Sequence, residues 1–442
     1  IRKEKDPSLL KSMENKRKRV KYNVHRIYNS GKNPGKFQKF QNSELYLGNE
    51  STGFVILDDE DIGVRNPLLD FFLLKMNLWC GFFQFSETSV RQCLPSQLKP
   101  KPPVSELGFG TQFTDHMLRV EYDVDKGGWQ SPLIVPLEPL TLHPAAKGLH
   151  YALQLFEGMK AYRGVDGRIR VFRPDLNMAR MNSSALRISL PQFDGEELLK
   201  CIKKLVSLDQ EWVPISETAS LYIRPTLVAT DPVLGVNAPS SALLYVILSP
   251  VGPYFQTMKA LTLLAEPNYV RAWPGGSGST KVGANYGPTI YVQSVAKEVG
   301  AHQILWLFGE NHAVTEAGAM NVFCVFINDK GMSTPPLNGL ILPGVTRASI
   351  LDLAREWNEF DVSERFLTMS DIVKLRSENR LLEFFGSGTA VLVNPVERLI
   401  YNNQVIDIPT MDQPDPIFLR LLRTLTDIQY GRLKHPWAEE ID

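Results

Sequence analysis

The sequence predicts an α/β protein (α+β in its layering) built from two domains, and three features of the chain support this prediction. Short apolar runs alternate with helical patterns from about residue 100 onward. The chain has 442 residues, which is enough for two or three domains. The stretch Pro250-Val-Gly-Pro-Tyr-Phe-Gln256 is rich in residues that interrupt helices and strands, as expected of a crossover. We therefore expect a small domain over residues 99–250, the interdomain loop and the start of the second domain over 251–272, and a large cofactor-binding domain over 273–442.

The small domain is predicted to begin after Lys99-Pro-Lys-Pro-Pro103, which is typical of a stiff linker. Asp194-Gly-Glu-Glu197 resembles a capping box and predicts a helix that ends near Leu208, with its apolar residues on one stripe. Residues 219–229 and 242–248 are predicted to be strands.

In the second domain, which starts within 251–272, strands are predicted near residues 261–265, 303–308 and 320–327. The stretch Leu342-Pro-Gly-Val-Thr346-Arg precedes a helical pattern over 348–357. A ligand is expected between the two domains, because domain interfaces favour pockets.

Residues 1–98 are predicted to be an N-terminal extension. Residues 1–40 are rich in Lys and Arg, including Lys16-Arg-Lys-Arg19, and are expected to be solvated and disordered. These basic residues could also form a nuclear-localisation signal or an RNA-binding patch. The apolar run over 69–85 is interrupted by Asp70, Lys75 and Asn77, so it is too short and too polar for a bilayer span of about 20 apolar residues. An amphipathic element, a patch docked on the main body or sequence foreign to the domain is expected instead.

Composition narrows the function classes. The formal net charge is +0, so no general attraction to nucleic acid or to an anionic membrane is expected. The four cysteines, Cys80, Cys93, Cys201 and Cys324, include no Cys-x-x-Cys pair. Their scatter argues against a disulfide scaffold and against a zinc site, and fits an intracellular enzyme.

Lys281 is the first candidate catalytic residue. It lies in Trp273-Pro-Gly-Gly-Ser-Gly-Ser-Thr-Lys281-Val-Gly-Ala-Asn-Tyr-Gly287, where small residues allow a ligand to approach the backbone closely. A desolvated lysine with a lowered pKa can attack a carbonyl and form a Schiff base. The alternative is a solvated lysine on a glycine-rich connection. A nucleotide P-loop is disfavoured, because Thr280 and Val282 stand where that motif has glycine and a hydroxyl residue.

Three further segments favour a catalytic lysine. Glu316 lies between two predicted strands. In Glu383-Phe-Phe-Gly-Ser-Gly-Thr389, a strand-like run is expected to break into a glycine-rich turn whose N–H groups can face an anion. The start of the helix after Leu342 is a second anion site. A lysine, an acid and two phosphate cradles together indicate pyridoxal phosphate.

Four motifs carry a family resemblance: Leu155-Phe-Glu-Gly-Met-Lys-Ala, Leu221-Tyr-Ile-Arg-Pro, Lys281-Val-Gly-Ala-Asn-Tyr-Gly and Phe385-Gly-Ser-Gly-Thr-Ala. The chain resembles the animal branched-chain amino acid aminotransferases, colinearly from about Pro103 to about Trp437. This resemblance implies fold type IV, with pyridoxal 5'-phosphate at the domain interface. The implied reaction moves the amino group of leucine, isoleucine or valine to 2-oxoglutarate, giving branched-chain 2-oxo acids and glutamate, in the cytosol or the mitochondrion.

The resemblance also implies roles for cofactor-binding residues. Lys281 is expected to hold pyridoxal phosphate as a Schiff base and to move the Cα proton. Glu316 is expected at the pyridine nitrogen and Tyr286 at the phenolic oxygen. The phosphate is expected to be bound by Arg180, Val345, Thr346, Gly388 and Thr389.

For the substrate, the resemblance implies an apolar wall with a cation that can meet the distal carboxylate of glutamate. Arg224 is the expected cation. In the family, Leu234, Val236 and the counterpart of Tyr151 come from the neighbouring subunit, so a homodimer is implied. The full implied set is Phe109, Tyr151, Phe156, Tyr222, Arg224, Leu234, Val236, Tyr254 and Ala390.

Two positions depart from the family pattern. Ala319 stands where animal members usually carry threonine, so a hydrogen bond worth about 1 kcal/mol to the substrate carboxylate is expected to be missing. Val391 and Asn394 replace the Cys-x-x-Cys of vertebrate members, so no thiol switch of that kind is expected.

Several rival functions stay open at this level. Within the same fold, a D-amino acid aminotransferase or an aminodeoxychorismate lyase would use the same lysine. A nucleic-acid-associated scaffold that acts through residues 1–40 is the alternative of another class.

Overall fold

The computed structural model describes residues 81–252, 259–327 and 331–441, which contain two β-sheets with helices packed against them. The strands are β1 Ser89–Val90, β2 His116–Asp123, β3 Gly128–Trp129, β4 Leu133–Pro136, β5 Gln154–Phe156, β6 Met159–Arg163, β7 Ile169–Phe172, β8 Ser220–Ala229, β9 Ser241–Val251, β10 Leu261–Ala265, β11 Gln303–Phe308, β12 Ala313–Ala317, β13 Met320–Phe326, β14 Gly331–Thr334, β15 Asp361–Glu364, β16 Leu381–Gly388, β17 Leu392–Tyr401, β18 Gln404–Asp407 and β19 Ala438–Ile441. The α-helices are α1 Lys147–Tyr151, α2 Pro174–Arg187, α3 Gly195–Leu208, α4 Thr289–Glu298, α5 Val345–Trp357, α6 Met369–Ser377 and α7 Ile417–Gln429. The mixed α/β fold predicted from the sequence is confirmed.

The first sheet has the strand order β1-β4-β2-β9-β8-β6-β7-β19, with β3 beside β2 and β5 beside β8. The helix predicted after Asp194 is confirmed as α3, because the Asp194 carboxylate accepts hydrogen bonds from the N–H groups of Glu196 and Glu197. The predicted apolar stripe of α3, which includes Leu198 and Ile202, is fully buried in the core against this sheet.

Residues 81–98, which the sequence analysis assigned to the N-terminal extension, contact this first sheet. Phe83 is 2% exposed, and its ring lies edge-on to Trp129 with centroids 5.4 Å apart. The N–H of Phe85 donates to Oε2 of Glu197 at 2.6 Å, and β1 pairs in parallel with β4. These residues therefore contribute to the core of the first sheet, ahead of the predicted linker. The basic arm and residues 69–80 of the apolar run lie outside the described residues.

The second sheet has the order β12-β11-β10-β17-β16-β13-β14-β15, with β18 beside β17. An additional pairing of β12 with β13 closes six of these strands into a ring. Glu316 lies between the two predicted strands β11 and β13, as the sequence indicated. It is itself part of a third strand, β12, which was not predicted, and its backbone pairs there with Trp306 and with Asn321. The predicted break at Gly386 was wrong, since β16 continues to Gly388.

The C-terminal strand β19 follows the strands of the second sheet in the chain but belongs to the first sheet. Its residues pair antiparallel with β7, and Glu440 forms ion pairs with Arg168 and Arg170. The sequence analysis assigned residues 273–442, and therefore this strand, to the large domain. Among the described residues, no helix is long and apolar enough to cross a membrane.

Candidate active site

The backbone of Lys281 is fixed by hydrogen bonds to helix α2 and to strand β5 of the first sheet. Its N–H donates to the Ser184 hydroxyl of α2 at 2.9 Å, and its carbonyl accepts from the N–H of Phe156 in β5 at 3.1 Å. The next residue, Val282, forms an isolated bridge with Leu155. Lys281 itself belongs to the loop that precedes α4, so these bonds hold the lysine where the two sheets meet.

The Lys281 amine is buried beside aromatic rings, and charges of both signs act on it. Nζ donates to the Tyr286 hydroxyl at 3.1 Å and lies 4.6 Å from the centre of the Phe156 ring. Burial, assisted by the positive charge of Arg180, lowers the pKa of Lys281 from 10.5 to about 7. An amine with that pKa is uncharged in about half of the molecules at pH 7, so it can act as a nucleophile and a base.

The glycine-rich loop before Lys281 is compact because its chain segments approach very closely. A Cβ atom at Gly278 would lie 2.4 Å from the Cβ of Ala272 and 2.9 Å from the carbonyl oxygen of Leu340, so only glycine fits. The Asn285 side chain closes the loop, since its amide donates to the carbonyls of Ser277 and Thr280. The bonds of this loop leave little freedom to the backbone that carries the lysine.

Arg180 is held by a carboxylate that the sequence analysis missed. Nε and Nη2 of Arg180 donate to the two carboxylate oxygens of Glu157 at 2.7 and 2.8 Å, and Nη1 donates to the Pro343 carbonyl at 3.0 Å. Glu157 is fully buried and also accepts from Asn177 at 2.7 Å. This pairing leaves N–H groups of Arg180 for a further anion. The sequence did contain one indication of this partner: Glu157 is an acidic residue inside the otherwise apolar start of the motif that begins at Leu155.

Glu316 is buried beside a second arginine that the sequence analysis missed. Its Oε2 lies 2.6 Å from Nε of Arg271, and its Oε1 accepts from the N–H of Leu342 at 3.0 Å and the Asn321 amide at 3.1 Å. Burial raises the pKa of Glu316, and the charge of Arg271 opposes that rise. The chain position of Arg271, ten residues before Lys281, carried no motif that pointed to Glu316.

The two predicted anion cradles line one cavity. Val345 and Thr346 at the start of α5, together with Thr389 just after β16, share this cavity with Lys160 and Asn177. No side chain caps the start of α5, so its first N–H groups are available to an anion. Beside Gly388, the Ser387 hydroxyl is buried with no hydrogen-bond partner.

Lys160, a second lysine near these cradles, received no role from the sequence. Its Nζ donates to the carbonyl of Ala390 at 3.0 Å, and burial lowers its pKa from 10.5 to about 8. The only sequence signal was its place at the end of the motif that starts at Leu155.

Four aromatic rings and a guanidinium group form a wall next to Lys281. The rings of Phe109 and Tyr222 meet edge-on with centroids 5.0 Å apart, and those of Phe156 and Tyr286 are 4.9 Å apart. Arg224 lies 4.8 Å from the centre of the Phe156 ring and donates to the Tyr222 hydroxyl at 3.2 Å, while its Nε is buried without a partner. This wall combines the apolar surface of the rings with a guanidinium N–H that has no hydrogen-bond partner.

Three predicted substrate residues lie together but point outward. The Tyr151 hydroxyl donates to the carbonyl of Leu234, and the side chains of Leu234 and Val236 are 63% and 83% exposed. Tyr254 lies outside the described residues.

Two positions were predicted to depart from the family pattern. Ala319 is exposed in the turn between β12 and β13, and Asn394 is buried with an unpartnered amide nitrogen. The part of the chain described here holds no cluster of His, Cys, Asp and Glu that could bind a metal.

The family model for amino-transferase class IV matches residues 154–399 of this chain. The chain is 55% identical over 346 residues to the cytosolic branched-chain-amino-acid aminotransferase of Ovis aries, covering 77% of this chain and 90% of that protein. It is 50% identical over 362 residues to the mitochondrial branched-chain-amino-acid aminotransferase of Mus musculus, covering 81% and 92%.

Solved structures agree with these relatives. The Escherichia coli branched-chain amino acid aminotransferase superposes with a TM-score of 0.60 at 26% identity, covering 70% of this chain and 97% of that one. A T.th. branched-chain amino acid aminotransferase with pyridoxamine 5'-phosphate superposes with a TM-score of 0.60 at 25% identity, covering 75% and 100%.

Proposed function

We propose the reaction of this chain from one premise: the chain belongs to the class IV aminotransferases and, within them, to the branched-chain-amino-acid aminotransferases. The chain transfers the amino group of leucine, isoleucine or valine to 2-oxoglutarate, giving branched-chain 2-oxo acids and glutamate. The observation that carries this proposal is Lys281, whose buried amine lies 3.1 Å from the Tyr286 hydroxyl and 4.6 Å from the centre of the Phe156 ring, with its pKa lowered to about 7.

The residues that line the cavity, which include Val345, Thr346 and Thr389, together with nearby Arg180 and Ser387, fit pyridoxal phosphate. Arg180 has donors left over from its bonds to Glu157, the start of α5 has free N–H groups, and the Ser387 hydroxyl lacks a partner. Arg180, Val345, Thr346, Gly388 and Thr389 would hold the phosphate. When bound, the cofactor supplies an electron sink that acidifies the Cα proton of the amino acid.

Around the cofactor ring, Glu316 would keep a proton on the pyridine nitrogen, because the negative charge of its carboxylate, held at a buried position, favours the protonated form of that nitrogen. Tyr286 would donate to the phenolic oxygen, in line with its position 3.1 Å from Nζ of Lys281. Lys281 would bind the cofactor covalently and then move the proton at Cα, since its amine can both accept and return a proton near pH 7.

Substrate selection follows from the wall of Phe109, Phe156 and Tyr222. An aliphatic side chain gains stabilisation against these rings at about 25 cal/mol per Å² of apolar area buried. Arg224 would meet the distal carboxylate of glutamate, because its Nε lacks a partner in the protein. The same pocket would thus serve both half-reactions.

A homodimer belongs to this proposal. The exposed Leu234 and Val236, with Tyr151, would reach the substrate of a neighbouring subunit, as the family resemblance implies. The named relatives are cytosolic and mitochondrial enzymes, and we propose one of these two compartments for this chain.

A steady-state assay tests the proposed reaction. Purified protein with pyridoxal phosphate is given 2-oxoglutarate and one amino acid at a time, and glutamate is measured. L-Leucine, L-isoleucine and L-valine are expected to give turnover, whereas D-alanine is not. Turnover with D-amino acids alone would favour the D-amino acid aminotransferase, and release of pyruvate from aminodeoxychorismate would favour the lyase.

A further inference from the structure

Lys147 is a buried cation that none of the proposed steps uses. It lies at the start of α1, is 1% exposed, and places Nζ 2.6 Å from Oδ2 of Asp231, which is 3% exposed. Removing an ammonium group from water is costly unless a carboxylate and hydrogen bonds compensate. A lysine with such complete burial is therefore held by specific partners.

The remaining partners of Lys147 lie at the other end of one loop. Nζ donates to Oδ1 of Asn237 at 2.8 Å, to the Asn237 carbonyl at 3.3 Å and to the Ala238 carbonyl at 3.4 Å. Next to Lys147, Ala146 forms a bridge with Pro232. A single amine thus joins the beginning and the end of residues 231–238, which we call the 231–238 loop.

The middle of the 231–238 loop presents apolar side chains outward. Val233, Leu234 and Val236 are 46%, 63% and 83% exposed. The Tyr151 hydroxyl, on the same helix as Lys147, donates to the carbonyl of Leu234. An apolar tip with a fixed base has the properties of a surface that contacts another chain, since exposed apolar groups gain stability by leaving water.

We propose that Lys147 is a positioning residue: its ion pair with Asp231 holds the 231–238 loop so that Leu234 and Val236 complete the substrate pocket of a second copy of this chain. This inference rests on the proposed transamination and homodimer. It adds a residue that touches neither substrate nor cofactor and that acts on the partner's pocket through the loop.

The first test is Lys147→Met, which keeps an unbranched side chain only one atom shorter and removes the charge. We expect KM for L-leucine to rise by about tenfold, and kcat to change by less than about threefold, because a displaced apolar pocket group weakens binding rather than chemistry. Cofactor absorbance is expected to be unchanged. Lys126→Met is the matched control, since Lys126 is 59% exposed in its ion pair with Asp123, and it is expected to leave KM unaltered.

Lys147→Met leaves Asp231 buried without its cation, and this can destabilise the fold. The double variant Lys147→Met/Asp231→Asn removes both charges and still lacks the three hydrogen bonds to Asn237 and Ala238. Its KM is expected to stay raised. A folded double variant with the wild-type KM would overturn the proposal, because the pair would then be merely structural.

Hydrogen exchange gives a readout that does not depend on activity. Backbone amides of residues 232–238 are expected to exchange at least about tenfold faster in the double variant, because the loop loses its anchoring bonds, while α2 and β8 are unchanged. Unchanged exchange in the loop would overturn the proposal. If the loop amides of the wild-type chain are protected from hydrogen exchange but the wild-type chain does not transaminate leucine, the proposed function is overturned instead.

Mixed dimers test whether the loop acts across subunits. A Lys281→Ala chain paired with a Lys147→Met chain has its one working lysine in the second chain and receives an intact loop from the first, so wild-type KM is expected. A Lys147→Met/Lys281→Ala chain paired with a wild-type chain places the altered loop on the one working site, so a raised KM is expected. The reverse pattern would show that the loop acts within its own chain and would overturn the proposal.

Discussion

The protonation of Lys281 gives a quantitative prediction. Burial and then the charge of Arg180 lower the pKa of this lysine from 10.5 to about 7 in the cofactor-free chain. The uncharged fraction at pH 7 is then about one half, against about 3 in 10,000 for an amine that titrates at 10.5. The structure therefore predicts that the uncharged fraction of Lys281 at pH 7 is about a thousandfold larger than that of an ordinary lysine, so Lys281 is the more reactive amine at that pH when access is equal.

Competitive labelling of the cofactor-free protein measures this difference. Pulses of acetic anhydride from pH 5.5 to pH 9.5 are followed by peptide mass spectrometry, with the exposed Lys126 as internal reference. Labelling of Lys281 is expected to rise between pH 6 and pH 8, as its uncharged fraction goes from about one tenth to about nine tenths, and then to level off. A tenfold rise per pH unit that continues to pH 9 would refute the reasoning.

A substitution tests the cause of the lowered pKa. The positive charge of Arg224 is among the groups that lower the pKa of Lys281, so Arg224→Met is expected to move the labelling midpoint to higher pH. The midpoint is expected to stay well below 10.5, because burial is the largest cause. Arg119→Met, on the surface of β2, is the matched control and is expected to leave the midpoint unchanged. Equal midpoints in all three proteins would show that Arg224 does not act on the lysine.

Three further outcomes are expected. Glu316→Gln should bind pyridoxal phosphate, measured by absorbance, but lose much of kcat, since the amide cannot keep the ring nitrogen protonated; an unchanged kcat would make Glu316 structural. Phe83→Ala should lower the free energy of unfolding by about 3–5 kcal/mol and the melting temperature by roughly 10 °C, while turnover is retained. An unaltered melting curve would show that the contact with Trp129 adds no stability. Hydrogen peroxide should inhibit this protein less than a relative with paired cysteines, because Val391 and Asn394 cannot form a disulfide; strong inhibition that dithiothreitol reverses would contradict this.

The sequence predicted those parts of the site that depend on local order. Lys281 and Tyr286 are five residues apart, and the short helical turn between them brings their polar atoms to 3.1 Å. The start of α5 follows from Leu342-Pro-Gly, and the α3 cap follows from Asp194. Local patterns of this kind determine element boundaries and short contacts directly.

The parts that the sequence did not predict depend on tertiary contacts. Glu157 and Arg180 are 23 residues apart, and Arg271 and Glu316 are 45 apart (316 − 271), so neither pair has a helical or strand spacing. The apolar run that contains Phe83 allowed an amphipathic element, a docked patch or a foreign segment, because nothing local shows that Trp129 covers the Phe83 ring. Such pairs form only when distant segments are brought together, and their charge or size alone does not identify the partner.

A single-turnover experiment tests the central claim most directly. Protein loaded with pyridoxal phosphate is mixed with L-leucine in the absence of a 2-oxo acid, and both the visible absorbance of the bound cofactor and the released 2-oxo acid are followed. We predict loss of the visible band with about one equivalent of 4-methyl-2-oxopentanoate per Lys281, and return of the band with formation of glutamate when 2-oxoglutarate is added. Lys281→Ala is expected to show neither change. A stable visible band with no 2-oxo acid released from leucine by the wild-type protein would contradict the account.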